Sequence, residues 1–452
     1  MPMSESFKER LFPLVTKIMW DFKPRLAGEI LGDISLGKET TWALSSGFHI
    51  YDETGILETI AQMKKLFFTR YRGKNFFAVK ACPNVEILRI ILGADFGLDC
   101  ASPTELFRAL LAGAQPYQIM YSSNNTALPF FKYAEKIGCI LNLDDISFLP
   151  KLPHVPERIC FRYNPGELRT EGSNTIIGNP PNQKYGLRHD QIMVAFRQAR
   201  QKGVRIFGLH TMFVSNCRDP KVLASNARML LEIAESLQKE LDIELEFINI
   251  GGGLGISYKS GDQPLDVEAM AQLINEMLED FQVRCGYTPL LYMESGRYVT
   301  GPHGVLVAPV INVMNKYKKF IGLGICDAAD ILRALIYPAH HEVSVLTTDG
   351  QEKIGGPKEL VSIVGPLCEN MHLAPDRLLP IIVEDDFVVV HDTGAHGIAM
   401  GSGYNGWGRS QELLLHSDNS VTRVSRPETI GDLTAREIIL PQNELYRKTV
   451  QY

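Results

Sequence analysis

"LLYMESGRYV", residues 290–299, decides how the chain is read. An apolar run long enough for one buried strand, Leu290–Met293, stops at a carboxylate (Glu294), a flexible joint (Gly296) and a fixed cation (Arg297). Chemistry gathered at the C-terminal end of a strand is characteristic of parallel α/β sheets, whose ligands bind outside the carboxyl ends of the strands. Seven earlier runs have the same short, apolar character: 76–81, 97–102, 118–125, 139–144, 159–165, 206–212 and 246–253. With 290–296 they make eight.

Helix signals separate the runs. "ILETIAQMKKLFF" (56–68) has apolar residues at helical spacing, and "VLASNARMLLEIAESLQKEL" (222–241) reads as a long amphipathic helix. "SPTELFRALLAGA" (102–114) opens with Ser102, Pro103 at the first helical position and Glu105 three residues after the cap, which predicts a capping box. Short apolar strands alternating with helices imply a parallel sheet covered by helices. Eight units fit a (β/α)8 barrel. An open doubly wound sheet is the alternative, and eight clean repeats favour the barrel. After residue 300 the texture becomes strand-rich: 304–315, 318–325, 341–348, 360–365, 387–394 and 421–426 are β-like runs joined by turns. The expected organisation is a barrel over 48–308 and a mostly-β domain over 309–452, joined by 1–47.

Composition narrows the function. Of 452 residues, 45% are hydrophobic and 22% charged, the ordinary balance of a globular protein. A net charge of −6 provides no basic footprint for nucleic acid. No stretch reaches the roughly 18 apolar residues of a membrane span, and the start, "MPMSESFKERLF", has no apolar core of a secretory signal. The eight cysteines are scattered and form no C-x-x-C pair, so no metal site is expected and the reading is of free thiols in a reducing cytoplasm.

The strand ends carry the candidate chemistry. They offer Lys80, Asp99, Arg162 with Asn164, His210 followed by Ser215, the glycines Gly251, Gly252 and Gly253, and Glu294 with Gly296 and Arg297. Lys80 either snorkels to the strand end or is a desolvated amine suited to a Schiff base. The three glycines either make a tight turn or let backbone N–H groups cradle an anion. Taken together, an amine, an anion cradle and an acid–base pair point to pyridoxal phosphate. Glu294 then faces the pyridine nitrogen, and Arg297 the phosphate or a substrate carboxylate.

At these residues the chain resembles the fold-type III pyridoxal-phosphate decarboxylases. Its pattern is nearest the diaminopimelate decarboxylases, with the ornithine and arginine decarboxylases behind them. The likeness runs from "FHIYD" (48–52) to "GYNGWGR" (403–409) and rests on "FFAVKA", "DCASPTEL", "RYNPG" with "QKYGL", "NIGGGLGI" and "ESGR". In the second domain "ILRALIY" resembles the substrate-carboxylate motif, with Arg333 and Tyr337. "VGPLCEN" is similar to the motif that reaches the neighbouring subunit's site, with Cys368 and Glu369. "GAHG" and "GYNG", with His396 and Tyr404, resemble the last cofactor-contacting stretch.

The resemblance implies a homodimer with shared sites, Lys80 as the cofactor lysine and Cys368 as the acid that protonates Cα. Arg333 and Tyr337 would hold a distal substrate carboxylate, Glu369 would meet a substrate ammonium, and Tyr404 would contact cofactor and substrate. It implies decarboxylation of meso-diaminopimelate or a related diamino acid. The alternatives are D-lysine, D-ornithine or a secondary-metabolism substrate, and beyond them a non-catalytic regulatory homologue, which would be expected to lack Lys80. An alanine-racemase-like enzyme would place arginine, not Glu294, on the ring nitrogen. Four departures fall at the substrate end, one of them "CENMH" (368–372) in place of the family's C-E-S-G-D. Met212 stands where the family has a ring-stacking histidine, Val214 where it has a glycine, and His396 where it has a tyrosine.

Overall fold

The computed structural model describes residues 3–24, 43–169, 178–337 and 339–438. The first strand, β1 (Phe48–Asp52), precedes the barrel. Each of the eight expected runs then becomes a strand: β2 (Lys74–Ala78), β3 (Gly97–Cys100), β4 (Ile119–Tyr121), β5 (Ile140–Leu143), β6 (Arg158–Tyr163), β7 (Ile206–Thr211), β8 (Phe247–Asn249) and β9 (Leu290–Met293). They pair in parallel in chain order, and β9 closes on β2 through Lys74↔Tyr292 and Asn75↔Met293. A closed ring excludes the open sheet.

The local signals explain the helices. Helix Pro103–Leu111 is capped by Ser102, whose side chain accepts from Glu105 N at 3.2 Å. Glu105 reaches back one residue further than the expected box, to Ala101 N at 2.7 Å. The 56–68 pattern becomes helix Glu53–Met63, which continues as a π-turn over Lys64–Phe68. Helix Pro220–Leu241 buries Leu223, Ala227, Leu230, Ala234 and Leu237.

The second domain is a nine-stranded sheet. Its further strands are β10 (Gly304–Asn315), β11 (Lys319–Leu323), β12 (Val343–Leu346), β13 (Lys358–Val364), β14 (Ala374–Pro380), β15 (Phe387–Val390), β16 (Gln411–Leu415) and β17 (Val421–Ser425). The main path runs β14-β13-β11-β10-β1-β16-β17, with β15 on β10 and β12 on β15. This shifts the expected boundary. Residues 48–52, placed with the barrel at 48–308, are hydrogen-bonded between β10 and β16 in the second sheet, and β10 already starts at 304. The reason is pairing: β1 and β10 are antiparallel neighbours in register from Phe48↔Val307 to Tyr51↔Gly304. From the N-terminal segment, helices Glu5–Leu11 and Val15–Asp21 pack Phe7, Leu11 and Val15 against Phe48, Val305 and Leu413 of this sheet. Residues 25–42 and 439–452, assigned to the same domain, lie outside the described residues.

Phe76, Met120, Ile140, Cys160 and Phe247 form a cluster within the barrel, with Tyr292 packed on it. The Phe247 and Tyr292 rings stack at 4.5 Å between centroids. Gly208 makes room for this plug, since a Cβ there would strike the Phe247 ring. All five residues of the cluster lie on barrel strands, so the plug holds the ring at a fixed girth. Phe247→Ala is expected to cost about 3–5 kcal/mol, read as a lowered thermal unfolding midpoint; an unchanged midpoint would show that the plug does not hold the ring.

Candidate active site

Lys80 stands on the single 3-10 turn Val79–Ala81 that follows β2. Its neighbours Val79 and Ala81 are buried, but the lysine is exposed at the mouth in the single chain. Of the two readings of Lys80, its position in the single chain is that of a side chain reaching past the strand end: β2 ends at Ala78, before the mouth, and the side chain emerges into open space. That space is a cavity of about 380 Å³ at the C-terminal ends of the strands. Arg162, Met212, Ser215, Gly253, Glu294, Gly296, Arg297, Arg333, Tyr337 and His396 share it with Lys80.

A buried acid lies in its wall. Glu294 follows β9, is 6% exposed, and its backbone N–H donates to Gly251 O at 2.8 Å. Asn249 Nδ2 donates to its Oε1 at 2.8 Å, and His210 Nε2 lies 3.2 Å from its Oε2. His210 and Asn249 are register partners on β7 and β8, which is why both reach one carboxylate. Asn142 Nδ2 on β5 stands 2.7 Å from His210 Nδ1 and so sets the ring's orientation. Burial works to raise the Glu294 pKa. The adjacent His210, with Lys80 and Arg162, outweighs it and holds the carboxyl down at about 2. Asp99, on β3 beside Ala78, moves the other way: desolvation raises its pKa and the Glu294 charge adds to the rise. Its Oδ1 is buried without a partner. Two carboxyl groups are thus pushed apart, one to the anion and one toward the neutral acid.

The glycine loop sits hard against these strand ends. Gly251 and Gly253 have φ of +71° and +90°. A Cβ at Gly252 would strike the Glu294 carbonyl, and one at Gly253 would lie 2.6 Å from Val214 O. Gly252 N–H donates to Met212 Sδ at 3.2 Å, so the thioether is tied to the loop by its sulfur. Arg162 donates to Asp144 Oδ1 at 3.0 Å and Met212 O at 2.9 Å, and its guanidinium lies 4.6 Å from the centre of the Tyr185 ring.

The opposite wall is cationic. Arg297 and Arg333 are both buried, at 9% and 4% exposure. Arg297 donates to the Tyr258 hydroxyl. Arg333 lies 4.2 Å from the centre of the Tyr258 ring and donates from Nη1 to His341 Nε2 at 3.1 Å. His396, in the left-handed region at φ +59°, is linked by its backbone N–H to Ala81 O at 2.8 Å. Desolvation, with Arg297 and Lys80 nearby, pushes its imidazole pKa well below the usual value.

Cys368, Glu369 and Tyr404 form a separate, exposed cluster that does not line this cavity in the same chain. Tyr404 donates to Glu369, which pushes the phenol pKa up to about 12 and lowers that of the carboxyl. Cys368 Sγ lies 3.5 Å from Glu369 Oε2. Sequence reading did not find Tyr258, His341, Asn142 or Tyr185. Asn142 lies near the end of β5 and Tyr185 within "QKYGL", but none of the four was singled out, because each acts by touching a residue distant in sequence.

These residues suit pyridoxal phosphate: an accessible amine, a buried carboxylate held ionised and, through Gly253, a glycine loop whose shape a Cβ would destroy line one hollow, and Asp99 is buried on the strand next to Ala78, which also lines it. Comparison with known proteins agrees. The family model described as pyridoxal-dependent decarboxylase, pyridoxal binding domain, matches residues 53–301. Protein TabA of Pseudomonas amygdali pv. tabaci is 37% identical over 96% of each chain. The diaminopimelate decarboxylase of Methanothermobacter thermautotrophicus is 32% identical over 85% of this chain and 90% of that one. The structure of Helicobacter pylori diaminopimelate decarboxylase complexed with L-lysine superposes with a TM-score of 0.78 at 26% identity, covering 86% of this chain and 96% of that one. The chain belongs to the pyridoxal-dependent decarboxylases and is a carboxy-lyase whose cofactor is pyridoxal 5'-phosphate. Gly252→Ala is expected to displace the loop and weaken cofactor binding by about tenfold or more, roughly 1.4 kcal/mol. Titration of the cofactor-free protein checks it, and unchanged affinity would exclude the loop from the cofactor's contacts.

Proposed function

We propose that the enzyme decarboxylates a diamino acid carrying a second, distal carboxylate, meso-diaminopimelate or a close relative. One observation carries this reading. Two buried guanidiniums, Arg297 and Arg333, face the Lys80 cavity and, among the described residues, are bonded to a phenol and an imidazole, not to a carboxylate. A buried cation without a counter-anion is costly, so the wall calls for an anionic ligand. The names of the relatives point the same way.

Pyridoxal phosphate, when bound, supplies the electron sink that accepts the pair left as the Cα–carboxylate bond breaks. The chain's own residues do the rest. Lys80 holds the cofactor at the mouth. Glu294, ionised at any working pH, would face the ring nitrogen and favour its protonated form. Gly251, Gly252, Gly253, Ser215 and Gly296 would make room for and bind the phosphate, with His396 as a further cofactor contact. Asp99 and His210 would support the site from behind its lining, and Met212 would pack against the ring. Arg297 meets phosphate or substrate carboxylate. Arg333 and Tyr337 grip the distal carboxylate, for which a guanidinium's planar fork is suited.

The exposed Cys368, Glu369 and Tyr404 support a homodimer: a second copy would bring them to the mouth. There Cys368 of the partner subunit would deliver a proton to Cα, Glu369 of the partner subunit would meet the substrate ammonium, and Tyr404 of the partner subunit would contact cofactor and substrate. All eight cysteines are free, which supports a reducing cytoplasm. Among the described residues no helix is long and apolar enough to cross a membrane. Met212 and His396 both line the cavity and both depart from the family pattern, which favours a second reading: decarboxylation of a different amino acid, such as D-lysine, D-ornithine or a secondary-metabolism substrate.

Carbon dioxide release measured over a panel of amino acids separates these readings. Arg333→Ala is expected to raise KM for meso-diaminopimelate by roughly tenfold or more, from the loss of about 1.5–3 kcal/mol in a charge-assisted pair, with kcat little changed. Equal effects on a monocarboxylic substrate would show that Arg333 holds no distal carboxylate. For the dimer, Lys80→Ala and Cys368→Ala are each expected to be strongly impaired alone. Mixed with subunit exchange, they form heterodimers with one intact site, and activity partly returns. A mixture that exchanges subunits but stays at parental activity would place both residues in one chain's site.

A further inference from the structure

We propose that Tyr258 and His341 are the positioning residues that turn Arg333 into a receptor for a substrate's terminal carboxylate. The proposal rests on the dicarboxylate reading of the cavity and deepens it. Neither residue would touch the reacting atoms; both act through Arg333.

Tyr258 comes first in the argument because it separates two like charges. Its hydroxyl accepts from Arg297, and its ring face carries Arg333 at 4.2 Å, with Arg297 at 5.7 Å from the same centroid. Two buried guanidiniums would otherwise repel across a poorly solvated wall. An aromatic face is the one apolar surface that attracts a cation, and a guanidinium stacks flat upon it. The contact seats Arg333 over the ring.

His341 holds one end of the guanidinium. Its Nδ1 lies 2.7 Å from the His391 carbonyl oxygen, which can only accept, so Nδ1 carries the proton. Nε2 is then a lone pair, and it accepts from Arg333 Nη1 at 3.1 Å. The ring also packs edge-on against Tyr258 at 5.0 Å. Desolvation, with Arg333 close by, pushes the His341 pKa down to about 3, so this acceptor stays neutral through the working range. A carboxylate in this place would have neutralised Arg333 and competed with substrate. A neutral imidazole orients the guanidinium and leaves its charge unspent.

What remains is an unspent charge. Among the described residues Arg333 has no carboxylate partner and its buried Nε has no hydrogen-bond partner, while the side chain lines the cavity that holds Lys80. The guanidinium therefore lacks a counter-anion. A ligand that ends in a carboxylate supplies it. One that ends in methyl, or in an ammonium, does not.

The test compares 2-aminopimelate with 2-aminoheptanoate, which differ only in having carboxylate or methyl at the far end. Dissociation constants are read in the holoenzyme from the cofactor's absorbance change on rapid mixing. The wild type is expected to favour 2-aminopimelate by about tenfold or more. His341→Phe and Tyr258→Leu are each expected to cut that preference, read as the ratio of the two dissociation constants, by roughly tenfold. His341→Gln, which restores a neutral acceptor, and Tyr258→Phe, which keeps the ring under Arg333, are expected to retain it; these milder variants also keep the test open if the harsher ones do not fold. A preference that survives in His341→Phe and Tyr258→Leu, or is lost equally in His341→Gln and Tyr258→Phe, overturns the positioning roles. If Arg333→Ala abolishes the preference in that case, the dicarboxylate reading stands without them. A wild type with no preference, matched by Arg333→Ala, overturns the dicarboxylate reading and this proposal together.

Discussion

A carboxylate kept ionised inside a protein needs compensation from several directions, and Glu294 is such a group. Its charge is matched by Asn249 at 2.8 Å, by His210 at 3.2 Å and by the fields of Lys80 and Arg162. These residues come from β6, β7, β8 and the turn after β2, so only a closed ring brings them to one point. The same anion disfavours ionisation of Asp99 across the mouth, which separates the two acids by role. The barrel is therefore more than a scaffold around the site, because closure is what makes the Glu294 charge tolerable.

Close backbone approach is the second consequence. Glu294 N–H is bonded to Gly251 O, and its own carbonyl occupies the space where a side chain at Gly252 would go. The acid and the glycine loop are locked together, so a site that needs the carboxylate obtains the backbone cradle in a set position. Met212 joins this unit by accepting from Gly252 N–H, a contact that a thioether makes without titrating. The departure from the family's histidine thus has a structural place in this chain.

The second domain contributes the other half of the charge pattern. Arg333, in the helix that follows β11, and His341, just before β12, belong to it, whereas Tyr258 and Arg297 follow barrel strands. The cationic wall is consequently a domain junction, tied also by His396 N–H to Ala81 O beside Lys80. Substrate affinity and domain docking then share the same contacts, and changes in this wall are expected to be coupled, not additive.

Much of this was legible in the order of residues. Eight apolar runs, each closing on polar or glycine residues, specify a parallel ring because period and length leave few alternatives. Lys80, Glu294, the glycines and Arg297 were legible because a charge or a glycine triplet at the end of an apolar strand has few purely structural uses. Other features were not. The pairing of 48–52 with β10 and β16 depends on partners more than 250 residues away. The exposure of Lys80 depends on where β2 stops relative to the mouth. Tyr258, His341 and Asn142 have no local pattern at all, since their meaning lies in which side chain they touch. Sequence by itself determined the ring, the second sheet and the chemical inventory of the strand ends, because local periodicity and residue type carry that information. Tertiary structure alone decided which groups compensate the buried Glu294 charge and which arginine is held by which ring, because electrostatic and packing energies depend on distances that only the folded chain defines.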